Sequence, residues 1–286
     1  HFIDNKIKKN TSYRLHYQLW KLIEYERDPL PNIILGDSRA LYIKPREIYK
    51  FSNEKYFNFA YGGGTLSEII DTFWYCTKKV KLKNVYIDIN FNRYNAIETR
   101  NRFVNAKNIT QNFLGYAFNK TTFLALYYNL RGKFVNKNFR IGKPKFDKEK
   151  FWQKKLHETA KYFYSKYVYP EKYHTELKKI ASYCKKNNIK LVFFIPPIHV
   201  DLQNFIKKYE LEEKNKQFKM DLAELGEVFD FNVDNKLTEN VDNFVDPLHV
   251  DDQNGVIVPE VWGNQIHYSR LIIGKSTFSK KFQVKN

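Results

Sequence analysis

This sequence is short of cysteine, of negative charge and of long apolar runs, and each shortage excludes something. Cys76 and Cys184 are its only cysteines, and their separation fits no metal or redox spacing. They read as packing residues, with a single disulfide between them left open. No run of eighteen apolar residues occurs, so no segment of these 286 residues spans a membrane as a helix. No internal repeat or low-complexity block is present, which excludes a solenoid or a repeat array. The chain opens on His1 and not on methionine, and a removed amino-terminal signal or membrane anchor is expected.

Acidic residues are outnumbered, 31 against 49 Lys and Arg, for a formal charge of +18. That balance suits an anionic partner: nucleic acid, an acidic lipid surface or an anionic polymer. Most of the excess is lysine, better fitted to diffuse attraction than to bidentate recognition of individual phosphates. A nucleotide-biased genome rich in Lys, Asn and Ile codons produces the same composition. No nucleic-acid motif accompanies the charge, and no nucleic-acid partner is expected. With 43% hydrophobic and 17% aromatic residues, the chain has ample material for a core.

The apolar spacing predicts an amphipathic helix over 11–27, stopped by Asp28-Pro29-Leu30-Pro31. A short buried strand follows at Asn32 to Leu35 and runs into Gly36-Asp37-Ser38-Arg39, a tight turn able to present a hydroxyl at a sheet edge. A second apolar run, Tyr56 to Tyr61, ends in Gly62-Gly63-Gly64 before a helical pattern through Leu66, Ile69, Ile70, Phe73 and Trp74. Val85 to Ile89 makes a third strand, closing on Asn90-Phe91-Asn92. Such alternation predicts an α/β fold, a three-layer α/β/α sandwich with a central parallel sheet.

From about 93 to 169 the alternation is lost, and an insertion lying over the strand ends is expected. Within it, residues 131–155 carry ten Lys or Arg against two acids. The alternation then resumes: a helix over 171–187, a strand from Ile189 to Ile195 ended by Pro196-Pro197, a helix from Leu202 to Leu222, and a last strand from Glu227 to Phe231. Asp246-Pro247-Leu248-His249 comes after it, and residues 256–286 read as a basic tail. The resulting division is a lead-in helix over 1–30, a catalytic domain over 31–255 and that tail.

Acyl transfer by a serine needs a base, a carboxylate to orient the base, and donors aimed at the developing oxyanion. Ser38 is the candidate nucleophile. Asp246 and His249, three apart, place carboxylate and imidazole on one side of a helical turn. For the oxyanion, the N–H of Ser38, a backbone N–H of the glycine run at Gly63 and the amide of Asn90 are available. Gly62, Tyr61, Asn92 and His199 are candidates for contacting substrate, with His199 weighed more heavily as a wall residue. Tyr61 and Phe91 are by default core aromatics. No metal ligand set or cofactor motif is expected.

The order of these features resembles the SGNH hydrolase superfamily, also called GDSL esterases, over roughly residues 30–255. The resemblance implies that Ser38 is the nucleophile, Gly63 the second-block glycine, Asn90 the third-block asparagine, and Asp246 with His249 the last block; it also implies a flavodoxin-like strand order. The third block usually reads Gly-x-Asn-Asp, whereas this chain has Asp88-Ile89-Asn90-Phe91, which leaves Asn90 and Asn92 as alternatives. The lead-in helix, Asn58-Phe59-Ala60-Tyr61-Gly62-Gly63, Pro196-Pro197 and Asp246-Pro247-Leu248-His249 also look like a membrane-associated branch. That branch includes the teichoic-acid D-alanylation protein DltD and the alginate O-acetylation proteins. It implies an extracytoplasmic acyltransferase or esterase anchored in the cell envelope, an anionic or neutral surface polysaccharide as acceptor, and a membrane-bound O-acyltransferase as partner. The alternative is a non-catalytic subunit that holds the polymer.

Overall fold

The computed structural model describes residues 16–112 and 147–272, with 114, 117–120, 122–124, 126, 127 and 130 between them. Helix α1 (Tyr17–Arg27) is opened by His16, whose ring nitrogen accepts the N–H of Leu19, and it buries Leu19, Leu22, Ile23 and Tyr25. The part of the expected lead-in helix before residue 16 lies outside the described residues.

Strand β1 (Asn32–Leu35) feeds the short helix α2 (Ser38–Leu41), followed by α3 (Pro45–Ser52), β2 (Phe57–Asn58) and α4 (Leu66–Thr77). Thr65 and Glu68 cap α4 reciprocally, each side chain taking the other's backbone N–H. Next come β3 (Asn84–Asp88) and α5 (Arg102–Gln111). Within the second half of the expected insertion, α6 (Lys148–Thr159) continues into one π-helical turn; past it, α7 (Glu171–Lys186) leads to β4 (Lys190–Ile195).

Helices α8 (Val200–Lys208) and α9 (Glu212–Leu225) then precede β5 (Glu227–Asp230). Where the apolar pattern predicts one helix from Leu202 to Leu222 there are two, because Glu210 adopts a left-handed φ of 54° that no helix can continue through. Beyond them lie the short helix α10 (Lys236–Glu239), the hairpin strands β6 (Phe244–Asp246) and β7 (His249–Val250), helix α11 (Gln253–Gly263) and β8 (Arg270–Ile272).

The main sheet runs in the order β2-β1-β3-β4-β5-β8, parallel throughout except for β8, which is antiparallel to β5. Register follows the side-chain period of two. Ile33, Leu35, Val85, Ile87, Phe193, Ile195 and Val228 enter one core with α1, α4, α7 and α9. Ile34, Tyr86, Val192, Phe194 and Phe229 enter the other, under α3 and α11. Both faces of the sheet are therefore covered, the condition for an almost wholly parallel sheet. Residues 256–272 belong to this domain and not to a tail, because Ile257, Val258, Val261 and Trp262 fill the second core and β8 closes the sheet edge. The rest of the expected tail, 273–286, and most of the basic tract lie outside the described residues. Cys76 and Cys184 are free and buried, and burial pushes both thiols up, that of Cys184 to about 12.

Candidate active site

Three strand ends meet at the turn after β1. A Cβ on Gly36 would sit 2.5 Å from the Cβ of Asp88 at the end of β3, and one on Gly64 would sit 2.6 Å from the Gly36 carbonyl oxygen. Only glycine lets these backbones approach so closely. Asp88 Oδ2 accepts the N–H of Asp37 at 3.3 Å and of Ala40 at 3.2 Å, so β3 holds the turn that carries Ser38.

A buried ion network lies beneath that serine. Asp37 accepts the Arg39 N–H at 2.9 Å and caps α2, and the Arg39 guanidinium folds back to donate to the same carboxylate at 2.6 and 3.1 Å. Arg93 Nε stands 3.5 Å from Asp37 Oδ2. Burial raises the Asp37 carboxyl, but the charges of Arg39 and Arg93 overcome it and hold the group well below the usual carboxylate range. Burial and the neighbouring Asp37 charge push Asp88 well above its ordinary value. The two neighbouring carboxyls are thus shifted in opposite directions, Asp37 down and Asp88 up, and Asp88 Oδ1 is buried without a hydrogen-bond partner.

The other half of the site comes from the β6–β7 hairpin. His249 Nε2 lies 2.7 Å from Ser38 Oγ, and His249 Nδ1 lies 2.8 Å from Asp246 Oδ1. An ionised carboxylate only accepts, so Nδ1 carries the proton and Nε2 presents its lone pair to the serine hydroxyl. Burial raises Asp246, but its bond to His249, the Leu248 N–H at 2.8 Å and the charge of Lys155 leave it below its ordinary value.

The expected helical turn under Asp246 and His249 is a β-hairpin instead. Asp246 pairs with His249 across a two-residue turn, Pro247-Leu248. An offset of three residues aligns side chains on a helix, and it also aligns them across such a turn. The hairpin is tied to the end of β4 by the His199 N–H, which donates to the Pro247 carbonyl at 3.0 Å.

The remaining candidates divide. The Gly62 and Gly63 carbonyls accept from Arg102 at 3.3 and 2.7 Å, and Arg100 reaches Gly63 at 3.1 Å. Because a trans peptide sets N–H opposite C=O, the bond to Gly62 aims the Gly63 N–H away from that guanidinium. Arg102 is in turn held by the buried Glu68 at 2.8 Å. Asn90 directs its amide nitrogen to Asp37 Oδ2 at 3.5 Å, and its Oδ1 is buried without a partner. Asn92 Oδ1 accepts from both terminal nitrogens of Arg39 at 3.4 Å, which commits that side chain to the ion network. Tyr61 is buried beneath the Arg102 guanidinium, and Phe91 stacks on Tyr167 in the core. His199 packs edge-on against Trp152 and Phe244 while its Nδ1 accepts the Asp201 N–H. It forms the wall behind the hairpin, although its Nε2 is buried without a partner.

Arg39, Asp88 and Arg93 were not foreseen as parts of the site. A signal existed for Asp88: an acid inside the apolar run Val85-Tyr86-Ile87-Asp88-Ile89 must find buried partners.

The arrangement as a whole is a doubly covered α/β sheet carrying a serine–histidine–aspartate constellation at the carboxyl ends of its strands. No family model and no curated protein matches the sequence. Among solved structures, the chain is similar to a candidate acylhydrolase from Bacteroides fragilis (11% identity, 86% of this chain and 95% of that one, TM-score 0.42). It is similar also to a GDSL-like lipase from Bacteroides thetaiotaomicron (9% identity, 86% and 95%, TM-score 0.42). A third similar structure is described as a candidate platelet activating factor from Streptococcus pneumoniae (11% identity, 87% and 90%, TM-score 0.41). Among the described residues, no group of three or more His, Cys, Asp or Glu is placed to hold a metal ion.

Proposed function

We propose that this chain is a serine-dependent O-acyl esterase or acyltransferase of SGNH type, working outside the cytoplasm on a cell-surface glycan or teichoic-acid-like polymer. The observation that carries this reading is the continuous line of hydrogen bonds from Ser38 Oγ through His249 to Asp246, at 2.7 and 2.8 Å. Ser38 Oγ attacks the ester carbonyl carbon as its proton passes to His249 Nε2, and Asp246 stabilises the imidazolium. The N–H groups of Ser38 and Gly63 and the amide of Asn90 receive the oxyanion. When the carbon–oxygen bond to the leaving alcohol breaks, His249 returns the proton to that oxygen and an acyl-serine remains. A sugar hydroxyl or water then attacks the acyl-serine, giving its proton to His249, which passes it back to Ser38.

The charge of +18 supports an anionic acceptor or surface, and the resemblance to the DltD branch supports a membrane-bound O-acyltransferase partner and an envelope location. The test is labelling by a fluorophosphonate, with product analysis on an acylated donor and a glycan acceptor. Labelling of the wild type and its loss in Ser38→Ala is the expected result, and labelling that survives the substitution rejects the mechanism. Acylated glycan identifies a transferase; free acid alone identifies an esterase.

A further inference from the structure

Four arginines gather at the strand ends around Ser38: Arg39 and Arg93 against Asp37, Arg100 and Arg102 against the glycine loop. The acids that pair with them are unevenly shared. Asp37 takes Arg39 through both its oxygens, at 3.1 and 2.6 Å, and buried Glu68 takes Arg102 through both of its own, at 2.8 and 3.0 Å. Glu98 serves the other two: it binds Arg93 at 3.2 Å and stands 3.8 Å from Arg100, beyond hydrogen-bond reach. Asp88 gives its paired oxygen to backbone N–H groups and makes no described hydrogen bond or ion pair to any of the four. Arg100 is therefore the arginine with the weakest acid partner. It is also the most open to water, its side chain 49% exposed against 3% for Arg39, 16% for Arg93 and 29% for Arg102. Its described side-chain contacts use Nη2 alone, at 3.1 Å from the Gly63 carbonyl and 3.8 Å from Glu98.

We propose that Arg100 is a specificity-determining residue that reads an anionic group, a carboxylate or phosphate, carried by the ester substrate. A guanidinium presents a planar fork of donors that matches such groups, and the free edge of Arg100 is the one such fork at this rim that no described acid fills. Its position suits the task. A Cβ on Gly64 would lie 3.2 Å from Asp37 Cα, so the glycine loop touches the turn that carries Ser38, and Gly63, one residue earlier, holds Arg100 on its carbonyl. A Cβ on Gly62 would meet nothing within 4 Å, which leaves the loop open to a ligand. A substituent a few bonds from the ester crosses the width of that loop to reach the guanidinium. Strand order places the loop, after β2, and the His249 hairpin, tied to the end of β4, on opposite sides of Ser38. The rim of the site is thus basic on its glycine side, by a fixed arginine and not by the diffuse lysine charge of the chain. This inference rests on the serine chemistry proposed above and adds to it the charge of the substrate.

The experiment compares kcat/KM within pairs of esters that differ in one negative charge. One pair carries the charge on the acyl part, mono-p-nitrophenyl glutarate against p-nitrophenyl valerate. The other carries it on the alcohol, the acetate of a carboxylated nitrophenol against p-nitrophenyl acetate. Each ratio is divided by that of spontaneous hydrolysis. The wild type is expected to favour the charged member of at least one pair by about tenfold or more, and the pair that shows it assigns the anionic group to acyl or alcohol. Arg100→Gln should bring that ratio to about one, and Arg100→Glu should invert it. The ratio within a variant cancels any loss common to both esters, including a displaced Gly63, so a merely structural role leaves it unmoved. Lys186→Gln, exposed at the end of α7 beside the amino end of β4, should keep the wild-type ratio. No charge preference in the wild type overturns the proposal, as does a preference that Arg100→Gln retains, which assigns it to the overall charge of the chain. Fluorophosphonate labelling separates the two readings: a wild type labelled at Ser38 that hydrolyses the neutral esters without charge preference refutes this inference alone, whereas absence of labelling refutes the serine chemistry and this inference with it.

Discussion

Ser38 Oγ and His249 Nε2 stand 2.7 Å apart although 211 positions separate them in the chain. The distance is set by two anchors that share no local sequence. One is the glycine-packed turn after β1, and the other is the hairpin tied to the end of β4 through His199 and Pro247. Loss of Ser38 or His249 by alanine substitution is expected to lower kcat for p-nitrophenyl acetate by about 10³-fold or more. Asp246→Asn, which keeps the shape but favours the wrong imidazole tautomer, should cost a comparable factor with little change in KM.

The contact between Gly36 and Asp88 makes a stability prediction. A methyl group at Gly36 must displace the Asp88 side chain, and one at Gly64 must displace the Gly36 carbonyl. Gly36→Ala and Gly64→Ala should each destabilise the fold by about 1–3 kcal/mol, measured by urea denaturation. Gly62→Ala is the control, because a Cβ there meets nothing within 4 Å.

Acid and base limbs of the stability profile should separate by residue. Asp37 and Asp246 have folded values below their unfolded ones, so their contributions are present above about pH 4 and are lost as pH falls through the folded values. Asp88 acts in the opposite sense: its folded value is raised, and its ionisation opposes folding as pH climbs from about 4 toward that value. Asp88→Asn removes only this second contribution. Its stability relative to wild type, followed by calorimetry, is expected to rise as pH climbs above about 4, while the acid limbs run parallel. Asp88→Ala removes the same titration but also leaves the Asp37 and Ala40 N–H groups without their acceptor, so at each pH it should be about 2–4 kcal/mol less stable than Asp88→Asn.

Arg102 holds the Gly62 and Gly63 carbonyls without touching Ser38 in any described contact, which makes it a positioning residue. On the proposed mechanism, Arg102→Ala should lower kcat about 10- to 100-fold and leave KM for a small ester nearly unchanged, because the Gly62–Gly63 backbone loses the anchor that orients its N–H. A structural role alone would lower melting temperature without moving the kcat-against-KM split.

By itself the sequence determined the layered architecture, since continuously apolar strands such as Ile33-Ile34-Leu35 and Val85-Tyr86-Ile87 can bury both faces only between helices. It also marked the turn at Gly36-Asp37-Ser38 and the spacing of Asp246 and His249, because these are local patterns of backbone need and side-chain chemistry. Tertiary structure alone decided the rest. A three-residue offset serves a helix or a hairpin equally, and the hairpin prevails because Pro247 is held by His199 from a different strand end. The helical pattern from Leu202 to Leu222 breaks at Glu210, and β8, three residues inside what reads as a basic tail, seals the sheet edge. The opposite shifts of Asp37 and Asp88 are the clearest case: two chemically identical aspartates are pushed down and up only when folding sets one against Arg39 and Arg93 and leaves the other buried beside it. Desolvation and neighbouring charge act through space, and a sequence records only neighbours along the chain.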